Sequence, residues 1–461
     1  MEKIKFFKLT TLSFYLLSII YATSTMAKIT DKIQTKHKQS PISTFKLKNG
    51  LECIVYEKHS TAKAAVYLGY RVGSYVEQKG EKGMAHLFEH MMFRGSKNVG
   101  DEEHSQLIQA VGGYSNAYTA DDRTVYVQTI PASEIELVFR LEADRMQYLQ
   151  IDQQRLDKER EVVKEEYHWR VQNNPDGEMY YKAQQKLYPN HPFMYGPIGK
   201  LEDINHFTVA QCEAFYKKHY APNKAVLVVV GDVSPDTVKQ LAKKYFTAIP
   251  SRPKMPDINL DLAPRQTQEL TTFKDQSSLP TPVTIWTFYT PEARHPDAIP
   301  LKLLYSILDY DKGARFHRKI VKENELAFNF VSYPDFSLGT GTLSFMAYHQ
   351  PEAESKIRDI IFKEIQDIQQ KGATDQELQK AKNQALARRY FDSYTAEKIA
   401  SQLLHAALIE NGYQSYEHYI EEVKNVSHDD IIRVARKYLR PGNATELLFY
   451  PKKEDIKETN G

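Results

Sequence analysis

The chain has 461 residues, more than one hydrophobic core ordinarily holds, so we expect two domains. Its 61 Lys and Arg residues nearly balance 59 Asp and Glu residues, which leaves a formal net charge of +2. This balance argues against nucleic acid or an anionic membrane as a binding partner.

Residues 1–27 (MEKIKFFKLTTLSFYLLSIIYATSTMA) are typical of a secretory signal peptide, with a Lys-bearing start, an apolar run and a small-residue exit. The apolar run, roughly a dozen residues, is shorter than a membrane-spanning helix needs. We expect cleavage after Ala27, with Ser24 as the second choice, and no stable membrane span afterwards. The mature protein is then periplasmic or secreted, as in a Gram-negative bacterium.

Alternating apolar residues on either side of Asn49-Gly50 predict a β-hairpin over residues 45–56. Residues 64–72 form another predicted strand, and residues 115–129 form a strand pair. The two cysteines are too few for a disulfide framework. Cys53 lies in an apolar strand-like run and Cys212 in an amphipathic helix, which favours two buried thiols over a bridge.

The pentad His86-Leu87-Phe88-Glu89-His90 follows the strand over residues 64–72. On a helix, two imidazoles four positions apart project from one face on successive turns, with Glu89 beside them. Imidazole nitrogen is a ligand of Zn²⁺, and a neighbouring carboxylate can take a proton from a water molecule. The pentad alone is moderate evidence, since a chain with 15 His residues can contain it by chance.

A third ligand is expected from the acidic helix predicted over residues 152–170, which Asp152 can cap. Glu159 and Glu166 lie seven positions apart on one stripe, so one could bind the metal while the other supports it. Periodicity does not say which of them is the ligand. For most acids of this helix, such as Glu161, a solvated charged surface is the favoured interpretation.

The order and spacing of several motifs in the first half resemble the pitrilysin/insulinase family of zinc peptidases, in its H-x-x-E-H form. The motifs are Gly73-Ser74 with Glu77, Gly83 to Gly95, Gly112 to Thr119, Glu159 to Glu166, His191-Pro192, and Tyr220 to Asn223. The resemblance implies that His86, His90 and Glu166 bind one Zn²⁺ per chain. It also implies that Glu89 is the catalytic base and that Glu159 is an outer-shell acid.

In peptidases of this kind, the strand that carries Asn116-Ala117 is a sheet edge that pairs with an extended substrate. Without the resemblance, an ordinary inner strand would be favoured here. The implied activity is endopeptidase cleavage of extended peptides or small unfolded proteins, because a closed chamber excludes folded ones.

A proline-rich stretch from Pro250 to Pro264 predicts a linker, and the chain after it echoes the first half at an offset of about 218 residues. We therefore predict an α+β fold of two homologous two-layer α/β domains, each with a mainly antiparallel sheet and helices on one face, forming a clamshell. The predicted boundaries are 28–250 for the zinc-binding domain, 251–270 for the linker and 271–461 for an inactive duplicate.

The duplicate lacks the chemistry of the first half, because residues 299–307 (IPLKLLYSI) contain neither His nor Glu. Relatives often supply an Arg and a Tyr from this half to hold the substrate carbonyl. An alignment on Leu326-Ala327 places Val321 and Phe328 at those positions, and neither can donate a hydrogen bond. Nearby Arg315, Arg318 and Tyr333 are out of register or weaker substitutes.

Two interpretations of this departure stay open. A homologous subunit supplies the Arg/Tyr pair, which is the favoured one, or another donor of this chain serves. A non-catalytic scaffold or substrate-presenting subunit is the alternative of a different class, although Glu89 and all three ligands are intact. A peptidase that removes targeting sequences is disfavoured by the secretory leader.

Overall fold

The computed structural model describes residues 40–254, 258–262 and 267–452. The predicted signal peptide and parts of the predicted linker lie outside these residues. Within them, every helix is too short or too polar to cross a membrane. From Thr44 onward the described residues form one compact unit.

Strands and helices alternate along the chain in two similar series. The strands are β1 Ile42–Lys46, β2 Glu52–Glu57, β3 Lys63–Tyr70, β4 Tyr114–Thr119, β5 Thr124–Pro131, β6 Ala225–Gly231, β7 Thr271–Ser277, β8 Val283–Thr290, β9 Ala327–Phe336, β10 Gly341–His349 and β11 Ala444–Pro451. The helices are α1 Met84–Met91, α2 Glu103–Ala110, α3 Ile135–Tyr148, α4 Gln153–Tyr167, α5 Pro175–Leu187, α6 Leu201–His206, α7 Val209–His219, α8 Pro235–Phe246, α9 Ala298–Asp309, α10 Glu354–Lys371, α11 Asp375–Asp392, α12 Ala396–Ile409, α13 Gln414–Asn425 and α14 His428–Tyr438.

The first sheet has six strands in the described residues, in the order β1-β2-β6-β3-β5-β4. The Asn49-Gly50 turn joins β1 to β2, as predicted, and the amide of Leu47 donates to the carbonyl of Leu51 at 2.9 Å. β2 runs parallel to β6, while β3 is antiparallel to both β6 and β5. β4 pairs with β5 and is the last strand of the sheet.

The helices of the first half cover one face of this sheet and build its core. Leu68 and Tyr70 of β3 belong to the same buried cluster as Phe88 of α1 and Val138 of α3. Both cysteines are free and buried, which confirms that prediction.

The second sheet repeats the plan in the order β7-β11-β8-β10-β9. As in the first half, a buried strand (β8) is followed by a helix (α9), and one strand (β9) closes the sheet as an edge. The helices α7 and α14 also begin alike, with capping boxes at Thr208 and Ser427. The α+β fold of two homologous halves is therefore confirmed.

Each sheet has a second face, and a helix from the other half covers it. Helix α12 packs on β3 and β6, whereas α5 packs on β7 and β11. A Cβ at Gly69 of β3 would lie within 3 Å of Leu404 and Leu408 of α12, so glycine permits the close approach. Met179 of α5 shares a buried cluster with Leu447 of β11. This exchange explains why the central strands are apolar on both faces.

Candidate metal centre

Helix α1 begins at a position that suits glycine and a buried acid. Gly83 has a φ of 102°, in the left-handed region, and precedes the helix. The carboxylate of Glu77 accepts hydrogen bonds from the amides of Gly83 at 3.1 Å and Ala85 at 2.9 Å. Burial raises the pKa of Glu77 to about 8, although these two hydrogen bonds act to lower it. Sequence reasoning included Glu77 in a motif but missed this capping role.

The two imidazoles of α1 lie on successive turns of one face, as the spacing predicted. Their ring centroids are 4.9 Å apart and nearly perpendicular. His86 is buried, and its Nδ1 has no hydrogen-bond partner among the described residues. His90 is partly exposed.

Helix α4 brings its two predicted acids to α1. Asp152 caps the helix by accepting the amide of Arg155 at 2.9 Å, and Leu156 and Val163 anchor it in the core. The helix keeps α geometry to Tyr167, and a π-helical turn follows from His168 to Gln172, where one long helix was predicted. Such turns are frequent at functional sites.

Glu166 approaches both imidazoles, which periodicity could not predict. Its Oε2 lies 3.3 Å from Nε2 of His86 and 3.5 Å from Nε2 of His90. Ligand atoms from the three residues all lie within 4.8 Å of one another. At zinc–ligand bonds of about 2.0–2.1 Å, two corners of a tetrahedral site are separated by about 3.3 Å. The two nitrogens and one carboxylate oxygen therefore fit a divalent cation such as zinc.

Glu159 lies behind the cluster and is fully buried. Its Oε2 is 3.3 Å from Nδ1 of His90, and its other oxygen pairs with Nε of Arg94. A carboxylate on the outer nitrogen of an imidazole fixes the ring orientation and leaves Nε2 free for another ligand.

At neutral pH the imidazole of His86 and the carboxylate of Glu166 are in the forms that bind a metal, whereas His90 keeps a proton that a metal would displace. Burial and the neighbouring His90 lower the pKa of His86 to about 4. Burial also lowers the pKa of His90, but hydrogen bonds to Glu159 and Glu166 outweigh burial and raise the pKa to about 9. The hydrogen bond with His90 lowers the pKa of Glu166 to about 2.

Glu89 projects beside the cluster and is held from the sheet. The hydroxyl of Thr119, the last residue of β4, donates to Glu89 Oε2 at 2.6 Å. Burial raises the pKa of Glu89 above its ordinary value, and the Thr119 bond acts in the opposite direction. Thr119 is the last residue of the motif Gly112 to Thr119, but the sequence alone did not indicate a role for its hydroxyl.

The strand that carries Asn116 and Ala117 is an edge, as the resemblance implied. Asn116 is opposite Val127 of β5, and the other side of β4 pairs with no strand in the described residues. Helix α1 contacts β4. The open edge therefore lies next to the candidate metal centre.

The second half offers no equivalent cluster in the described residues, where His86, His90 and Glu166 form the only group of this kind. At the positions predicted for the Arg/Tyr pair, Val321 packs against the core and Phe328 is exposed on β9.

The nearby polar groups of the second half already have partners. Arg315 is buried and binds Glu377 at 2.8 Å through both Nε and Nη2. The hydroxyl of Tyr333 is hydrogen-bonded to that of Tyr180 at 3.0 Å. Arg318 lies 3.4 Å from Glu323.

Two family models match the chain. The model described as insulinase (peptidase family M16) matches residues 53–187, and the model described as peptidase M16 inactive domain matches residues 206–385. The division agrees with the presence of the candidate metal-binding cluster in the first half and its absence from the described second half.

Similar proteins are known from several bacteria. The zinc protease PqqE of Helicobacter pylori is 27% identical over 416 residues, which are 88% of this chain and 92% of that protein. A crystal structure of a protease from Helicobacter pylori superposes with a TM-score of 0.83 at 25% identity, covering 89% of this chain and 99% of that one. The periplasmic protease PqqL of Escherichia coli shares the fold, with a TM-score of 0.72 at 19% identity, and this chain covers 48% of it. By its two model matches and its fold, the chain belongs to the insulinase family of peptidases, M16.

Proposed function

We propose that the protein is a zinc-dependent endopeptidase that hydrolyses extended peptides or small unfolded proteins. The observation that carries the proposal is the position of Glu166 Oε2, 3.3 Å and 3.5 Å from the Nε2 atoms of His86 and His90. This spacing matches a tetrahedral zinc site. The relatives named as zinc proteases support the same activity.

His86, His90 and Glu166 would hold the zinc ion, with Glu159 orienting His90 from behind. When bound there, zinc acts as a Lewis acid that makes a water molecule more acidic and withdraws electrons from a peptide carbonyl.

Glu89 would act as the general base. Its carboxylate would accept a proton from the attacking water and pass it to the leaving amine of the cleaved peptide. Burial raises its pKa towards neutral pH, which improves it as a proton acceptor and donor. The hydrogen bond from Thr119 fixes one carboxylate oxygen and leaves the other available.

The open edge of β4 would bind the substrate as an added strand. Backbone groups around Asn116 and Ala117 would hold the peptide in register, and alternate side chains would point to opposite faces of the sheet. Since α1 contacts this strand, a peptide bound there would pass the metal centre.

We also propose that a homologous subunit supplies the Arg/Tyr pair, because the described second half has Val321 and Phe328 at those positions. The purified chain should then be weakly active alone and gain activity with its cognate subunit. Full turnover by a verified monomer would contradict this proposal. The predicted leader suggests a periplasmic or secreted protein, which cell fractionation of the native host would test.

The activity is tested by digesting a peptide library with the zinc-loaded protein. Cleavage should stop after chelation and return when zinc is added back. Unchanged cleavage after complete removal of metal would contradict the proposal. A protein that holds one zinc ion but cuts nothing, with or without its cognate subunit, would favour the scaffold alternative.

A further inference from the structure

The side chains of β4 alternate between the two faces of the first sheet. Thr119 points to the face of α1, where it binds Glu89. Tyr118, its neighbour, points to the opposite face, where α12 packs. A peptide paired with β4 shares these faces, so every second side chain would point towards α12.

A cavity of about 290 Å³ lies on that face. Tyr118 and Arg123 line it from the first half, and Arg388, Arg389 and Gln402 line it from helices α11 and α12. Residues at the proposed substrate strand therefore line one side of the cavity, and residues of the second half line the other side.

Some of the charged side chains around the cavity form ion pairs and others do not. Its acids are engaged, because Asp392 lies 3.2 Å from Lys398 and Glu410 lies 3.6 Å from Lys302. Arg123 is likewise bound to an acid, 2.6 Å from Asp122.

Two arginines have no such partner. Among the described residues, neither Arg388 nor Arg389 forms an ion pair with a carboxylate. Arg388 donates to the hydroxyl of Tyr310 at 2.5 Å, and Arg389 donates to Gln402 and to the carbonyl of Tyr416.

Arg389 is the more unusual of the two because it is 9% exposed. Its guanidinium stacks on Tyr416 at 3.4 Å from the ring centroid, and burial lowers its pKa. The carboxylates of Glu410 and Asp392 act on Arg389 through their charge, but neither contacts its guanidinium. A buried cation without a contacting carboxylate is costly, so an anion that entered the cavity and reached the guanidinium would be stabilised. Guanidinium groups match carboxylates in geometry as well as charge.

We infer that this cavity is a subsite for an acidic side chain, Asp or Glu, of a peptide bound along β4, with Arg388 and Arg389 as the residues that recognise it. The inference rests on the proposed peptidase function and adds a substrate preference to it. The preference for an acidic residue should apply to those alternate residues of the peptide whose side chains point to the same sheet face as Tyr118.

Binding can be measured without cleavage by using the Glu89→Gln protein loaded with zinc. Fluorescent peptides of one sequence, with Glu, Gln or Lys placed at successive positions, are titrated and followed by anisotropy. At one position or at alternate positions, Glu should bind about five- to tenfold more tightly than Gln, and Lys more weakly still. The gain should shrink at high salt.

The variant Arg388→Gln, introduced into the same protein, changes an exposed residue and should remove most of this gain. Arg140→Gln makes the same charge change at an exposed position of α3, on the opposite face of the sheet, and should leave the gain intact. Equal binding of the Glu and Gln peptides at every position, or a gain that survives Arg388→Gln, would overturn the inference.

Failure of the peptidase proposal gives a different result. Peptides would then bind with the Glu preference, but the zinc-loaded wild-type protein would cut none of them. If no peptide binds at all, the inference is overturned whatever the activity.

Discussion

The two halves of the chain have the same architecture but differ in the helix that follows a central strand. In the first half, α1 carries His86, Glu89 and His90 after β3. In the second half, α9 follows β8 and buries Leu301 and Leu304 instead. The fold therefore does not need polar groups at this place.

The difference shows where the first half accepts a cost in stability. The buried Nδ1 of His86 lacks a partner among the described residues, and burial raises the pKa of both Glu77 and Glu89. A buried polar atom without a partner destabilises a fold, and so does a buried carboxylate whose hydrogen bonds do not offset its loss of water. In the second half, Asp297 before α9 is surrounded by donors and its pKa falls to about 2, although burial raises the pKa of Asp309, at the end of the same helix, to about 7. We interpret the costly groups of α1 and its cap as serving chemistry.

The largest effect is expected from Glu89→Gln. Cleavage should fall by about 10²–10⁴-fold because the general base is lost, while zinc content stays unchanged since Glu89 is not a ligand. Initial rates on a library-derived peptide and metal analysis measure the two quantities. Glu165→Gln, at an exposed position of α4, is the control and should keep normal activity. Loss of zinc from the Glu89→Gln protein would contradict the division of roles.

A smaller effect is expected from Glu159→Gln, which keeps the shape but removes the charge behind His90. Zinc affinity should fall by about 10–100-fold, as for other outer-shell carboxylates. Competition with a chromophoric chelator measures the affinity. An unchanged affinity would show that Glu159 only supports the packing of α4.

The smallest effect is expected in the second half. Burial opposes ionisation of Asp297, but hydrogen bonds from Arg433, Tyr438 and Lys437 lower its pKa from 3.8 to about 2. The ionised group therefore stabilises the fold above about pH 4, and this contribution is lost as pH falls through 2. Asp297→Asn should lower the free energy of unfolding by about 2 kcal/mol at pH 7 and by less at pH 3.

Denaturant unfolding at the two pH values measures that difference. The exposed Asp359→Asn is the matched control, and zinc content should stay normal in both variants. Equal destabilisation at pH 7 and pH 3 would show that the ionised state of Asp297 is not what stabilises the helix packing.

Local patterns predicted much of the fold. Asn49-Gly50 predicted the hairpin, Asp152 predicted a helix start, and the i, i+4 spacing placed both imidazoles on one face of α1. These features depend on neighbours in sequence, which a single sequence contains.

Features that depend on distant contacts were not predictable in the same way. The seven-residue spacing of Glu159 and Glu166 fits either one as the ligand, and only the packing of α4 on α1 separates their positions. The bond from Thr119 to Glu89 and the covering of β3 by α12 join segments far apart in sequence. Apolar residues on both faces of β3 indicate burial but do not say which helix provides it.

Zinc content per chain tests the central claim most directly, because the account places one site in the first half and none in the described second half. Wild-type protein and Glu161→Ala, an exposed change on α4, should each hold one zinc ion. Glu166→Ala should hold close to none. Full zinc in Glu166→Ala, or two ions in the wild-type protein, would contradict the account.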